Sequence, residues 1–128
     1  MLSFEEMGDL LDEIAEEFPE EFYRELNGGI LLLPEALPDP DFPPGELYIL
    51  GEYCREWGMG RFINLYYGSF AALFADADLD ELRDELKKTL AHEFTHHVES
   101  LAGERGLEIR DEEELEGYRS EYRTESKD

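Results

Sequence analysis

The stretch that decides the fold is DLDELRDELKKTLAHEFTHHVESLAG, residues 78–103. Leu79, Leu82, Leu86, Leu90, Phe94, Val98 and Leu101 recur every three or four positions, the spacing that puts apolar side chains on one face of a helix. Asp78 is placed to cap this helix with Glu81 three residues on, and Gly103 is a natural stop. A helix this long needs a surface against which to bury its stripe. Working outward, the flanking sequence supplies one.

Toward the N-terminus, Ser3 and Glu6 form a second capping-box pair, and Phe4, Met7, Leu10, Leu11, Ile14 and Phe18 follow at helical spacing. Pro19 ends that helix, Glu20 to Leu26 reads as a short second one, and Asn27-Gly28-Gly29 stops it. Three apolar runs read as strands: Ile30 to Leu33, Leu47 to Tyr53 and Arg61 to Tyr67, the last two joined as a hairpin through Trp57-Gly58-Met59-Gly60. Five of the six prolines fall between Pro34 and Gly45, so that segment is expected to be an irregular surface loop. Ser69 to Ala75 reads as a short helix or turn, Asp111 to Tyr122 as a final helix, and residues 119–128 as a frayed tail. The expectation is a single α+β domain over residues 1–128, a small mixed sheet packed against an N-terminal helix and the long helix.

Composition narrows the function. The chain has 128 residues, with 34 Asp and Glu against 11 Lys and Arg, a formal charge of −23. A field of that sign repels phosphate backbones and anionic bilayers, which excludes nucleic-acid and membrane-surface partners. With 41% hydrophobic residues the chain can still build a core. A single cysteine, Cys54, rules out an internal disulfide framework and multi-cysteine zinc modules, and reads as a structural thiol. Neither a signal peptide nor a spanning apolar segment is visible, so a monomeric cytoplasmic protein is expected.

The long helix carries His92-Glu93-Phe94-Thr95-His96, an H-E-x-x-H motif. Residues four apart on a helix lie within about 40° of each other, so two imidazoles converge on one metal ion while Leu90, Phe94 and Leu101 point away. Glu93, on the flank, is placed to act on a metal-bound water. Two histidine ligands and a glutamate general base are the division of labour in zinc hydrolases. His97 lies toward Leu86 and Leu90, where a neutral core imidazole donating to a backbone carbonyl is expected. The third ligand is ambiguous. Glu99 returns to the histidine face one turn beyond His96, as a ligand or as a partner orienting His96. Asp111 follows the breaks at Gly103 and Gly106 and is the candidate carried forward, with Glu99 the alternative and Glu112, Glu113 and Glu114 close enough in sequence to compete.

Lys87 to Gly103, with His92-Glu93-x-x-His96-His97, resembles the small bacterial zincin-like metallopeptidase family. Glu17-Phe18-Pro19-Glu20-Glu21-Phe22, Leu47-Tyr48-Ile49-Leu50-Gly51, Ile63-Asn64-Leu65-Tyr66-Tyr67 and Leu115-Glu116-Gly117-Tyr118 extend the resemblance over most of the chain. It implies a minimal zincin fold, Zn2+ held by His92 and His96, and Glu93 as general base in hydrolysis of a peptide or protein substrate. Many relatives continue as H-E-x-x-H-x-x-G-x-x-D; here Glu99 and Ala102 occupy those positions, consistent with a longer helix and a later acid as ligand. Tyr66, Tyr67, Tyr118 and Arg61 are candidate oxyanion donors, and Arg61 to Tyr67 is the strand edge expected to pair with substrate. Two rival readings are a non-catalytic binding protein on the same scaffold and an acidic decoy for basic partners.

Overall fold

A computed structural model describes residues 1–104. It is an α+β fold. Helix α1 spans Phe4–Ala15, a single 3-10 turn covers Glu20–Tyr23, and strand β1 is Gly29–Leu33. Strands β2 (Leu37–Pro38), β3 (Tyr48–Ile49), β4 (Gly51–Glu56) and β5 (Gly60–Tyr66) follow, then α2 (Tyr67–Phe74) and α3 (Leu79–Glu104). Asp111 and the expected final helix, Asp111 to Tyr122, lie outside the described residues.

Both helix starts form as the sequence dictates. Ser3 Oγ accepts from Glu6 N–H at 3.1 Å while Glu6 Oε1 accepts from Ser3 N–H at 2.8 Å. Asp78 and Glu81 repeat the exchange at the head of α3 at 2.8 and 3.4 Å. At its other end α3 passes through the expected stop at Gly103 and continues to Glu104.

Three local expectations shift. The second helix is only a 3-10 turn, because Arg24 is extended and Glu25 adopts a left-handed backbone with φ 62°. The expected strand Leu47 to Tyr53 divides at Leu50 into β3 and β4, each in a different sheet. The proline-rich loop contributes the two residues of β2, which pair antiparallel with β3.

The main sheet has the order β1-β5-β4. Strand β5 pairs parallel with β1, Ile63 opposite Ile30, and antiparallel with β4, Ile63 opposite Tyr53. This corrects the expected substrate edge, Arg61 to Tyr67: β5, which holds all of that run but Tyr67, is the central strand, and β4 and β1 are the outer ones among the described residues. The β4–β5 hairpin turns at Trp57 and Gly58, whose φ of 91° favours glycine.

Register places Ile63, Leu65, Ile30, Leu32 and Tyr53 on one face, where they meet Met7, Leu10, Leu11 and Ile14 of α1 and Leu82, Leu86, Leu90 and Phe94 of α3. Each fully buried Leu, Ile or Phe contributes roughly 1.5–3 kcal/mol, so this layer holds the fold together. Two residues of the expected stripe, Leu79 and Val98, are exposed instead. Outside the core, Arg83 bridges Glu13 and Glu17 at 3.1 and 3.2 Å and Lys87 reaches Glu17 at 2.8 Å, linking α1 to α3. Pairs this exposed to solvent add little to stability.

Burial holds Tyr23, Tyr53 and Tyr66 above the usual phenol range, and for Tyr66 the Glu52 carboxylate, which accepts from its hydroxyl at 2.5 Å, raises it further. Unfolded tyrosine ionises near pH 10. A raised folded value means that this stability is fully present below about pH 10 and is lost as pH rises toward the folded values. Denaturant titrations are therefore expected to show stability beginning to fall above about pH 10, less steeply in Tyr66→Phe.

Candidate metal centre

Helix α3 sets the site because His92 and His96 stand one turn apart on it. Their Nε2 atoms converge to 3.2 Å, with the rings nearly perpendicular at 79°. Two nitrogens each bound at about 2.0–2.1 Å to one tetrahedral Zn2+ stand about 3.3–3.4 Å apart. The pair therefore has the separation of two ligands to a single ion, and imidazole is a donor that zinc favours. On donor type and spacing, the residues fit the metal.

His92 and Glu93 are 0% exposed and His96 is 5% exposed, so this turn of α3 is packed on both sides. His92 Nδ1 and both Glu93 carboxylate oxygens are sealed from solvent. A carboxylate in such a place has to be matched by a proton, a cation or hydrogen bonds.

Among the described residues, no group of three or more His, Cys, Asp or Glu side chains is placed to hold a metal ion. Glu99, half-buried, is thus not brought into a shared site with the histidine pair, and Asp111 lies outside the described residues.

His97 behaves as the sequence indicates. It is 0% exposed, its Nε2 lies 2.7 Å from the Arg24 carbonyl and its Nδ1 lies 2.8 Å from the Tyr53 hydroxyl. Burial holds it below the usual imidazole range, so the ring is neutral at pH 7. A carbonyl only accepts, which puts the proton on Nε2 and makes Nδ1 the acceptor from Tyr53. Both nitrogens are committed, and His97 is not a third ligand.

The candidate oxyanion donors are engaged elsewhere. Tyr66 donates to Glu52 and Tyr67 donates to the Leu2 carbonyl, both at 2.5 Å. Arg61 Nε lies 3.5 Å from Ser100 Oγ and its Nη1 3.8 Å from Glu25. Tyr118 lies outside the described residues. Cys54 meets the Asn64 amide at 3.7 Å, in keeping with a structural thiol.

A conserved hypothetical protein from T. thermophilus is similar to this chain, at 35% identity and a TM-score of 0.68, over 80% of this chain and 99% of that one. The chain belongs to the family of that protein. No family model matches the chain, and no curated protein matches it. The relationship establishes a shared fold; the case for chemistry rests on the histidine pair. Among the described residues, no helix is long and apolar enough to cross a membrane.

Proposed function

We propose that this protein is a zinc-dependent peptidase of the zincin-like type, with His92 and His96 holding the metal and Glu93 as general base. The observation that carries the reading is the convergence of two buried imidazole nitrogens to 3.2 Å on one helix, with Glu93 next to His92. When bound, Zn2+ would supply an activated water and polarise the scissile carbonyl.

The chain's own residues account for the rest. Glu93 takes a proton from the water and returns it to the leaving amine, a transfer that its sealed position protects from bulk solvent. Asp111 remains the proposed third ligand. Substrate backbone pairs along β4, the outer strand beside α3, in place of the central β5. The charge of −23 favours basic or neutral peptides over acidic ones. The protein is proposed to work as a cytoplasmic monomer.

Chelation tests this reading. A quenched-fluorescence peptide library is expected to be cleaved by the zinc-loaded protein, to stay intact after the metal is stripped, and to be cleaved again when zinc is restored. Cleavage that persists without metal, or none with zinc bound, would overturn the proposal.

One observation favours a second reading, a metal-holding scaffold that binds a partner without hydrolysis. His92 and Glu93 are fully enclosed, which restricts substrate access. Zinc binding with no cleavage, and partner binding unchanged in Glu93→Gln, would support it.

A further inference from the structure

We propose that Tyr53 and His97 are positioning residues: they fix where β4 lies against the metal helix, and so how a peptide backbone docks beside His92 and His96. The inference rests on the peptidase reading above. It begins from a residue of the motif for which that reading has no use.

A leucine could fill the volume of His97. What the imidazole adds is direction, since its two nitrogens are aimed at two different segments. Nδ1 accepts from Tyr53 on β4, and Nε2 donates to the carbonyl of Arg24 just after the 3-10 turn. One side chain of α3 thereby sets both the strand on one side and the turn on the other.

The turn is held in an unfavourable conformation. Glu25 follows Arg24 with φ 62°, a region that residues other than glycine rarely occupy. Such a backbone persists only where its surroundings enforce it. Here they do so twice: His97 holds the Arg24 carbonyl, and Arg61 on β5 lies 3.8 Å from the Glu25 carboxylate while also reaching Ser100 on α3.

Strand β4 also meets α3 upstream of the histidine pair. A Cβ on Gly51 would stand 2.8 Å from Leu65 Cδ2 and 3.1 Å from Thr89 Cγ2, so glycine there permits a close approach of strand to helix. Thr89 and His97 lie on either side of His92 and His96 along α3, so β4 crosses the stretch of helix that carries the pair. A peptide paired with β4 inherits any displacement of that strand, and a misplacement of about 1 Å at a reacting centre is enough to lower rates about 100-fold.

The test separates backbone docking from metal chelation. Zinc-loaded full-length wild type, Tyr53→Phe and His97→Gln are titrated with acetohydroxamate, which engages the metal alone, and with tri-alanine hydroxamate, which adds a peptide backbone. Wild type is expected to favour the tri-alanine probe by at least about tenfold. In Tyr53→Phe that preference shrinks about tenfold, while zinc and acetohydroxamate affinities stay within about twofold. His97→Gln keeps an amide donor for Arg24 and moves the acceptor off the Nδ1 position that faces Tyr53, so it reproduces the effect should Tyr53→Phe fail to fold. An unchanged preference in the variants, or an equal loss for both probes, would overturn the positioning role. Failure of wild type to bind zinc or acetohydroxamate would instead overturn the peptidase reading, and the positioning role with it.

Discussion

Glu93→Gln is expected to lower peptide hydrolysis by about 100- to 10,000-fold while leaving zinc bound, the range associated with losing a positioned general base. Glutamine keeps the shape of the side chain and its capacity for hydrogen bonds but accepts no proton from the attacking water. The substitution is close to isosteric at a side chain sealed from solvent, so the melting temperature should change little. That combination separates a catalytic role from a structural one. A structural Glu93 would show its loss in the melting temperature and leave the rate per folded molecule unchanged. Initial rates, metal content and thermal melts on the same preparations distinguish the two.

Phe94→Ala is expected to cost about 3–5 kcal/mol of folding stability. Phe94 is 1% exposed and its ring packs against Phe18, Phe22 and Tyr23, with centroids 5.1, 5.5 and 5.0 Å away. Truncation leaves a cavity that three rings anchored on other segments refill only in part. Domains of this size have total stabilities of about 5–15 kcal/mol, so one substitution removes a large share. The urea midpoint should fall with little change in slope. Because Phe94 lies between Glu93 and His96, the same loss should loosen the helix that carries the histidine pair.

Features that depend on neighbouring residues were legible in the sequence. The Ser3–Glu6 and Asp78–Glu81 boxes close as their spacing indicates, and the four-residue step from His92 to His96 delivers two nitrogens to one point. What escaped depends on distant segments. The central position of β5 follows from parallel pairing with β1, some thirty residues earlier in sequence, and a local period carries no information about that partner. Its near-continuous apolar run, Phe62-Ile63-Asn64-Leu65-Tyr66, was the available signal, since a strand covered on both faces loses its alternation.

The second half of α3 misleads for a related reason. The spacing of His92, Glu93 and His96 gives no sign that all three are buried, whereas His97 is buried as its direction toward Leu86 and Leu90 indicates. Periodicity reports chemical type, whereas burial depends on what packs outside the helix. Tyr53 was visible only as a strand residue; its bond to His97 joins positions 44 apart in the chain. No spacing rule would have linked them. The third ligand stayed hidden because a chain with 34 acidic residues offers too many carboxylates to choose among.

The central claim is that His92 and His96 hold one zinc ion. Metal analysis of the natively purified full-length protein beside His96→Ala tests it most directly. The expected result is close to one zinc per chain in the wild type and a loss of more than about 100-fold in zinc affinity in the variant, since even residues that only support a ligand commonly contribute 10- to 100-fold. Equal, near-zero zinc in both proteins would contradict it.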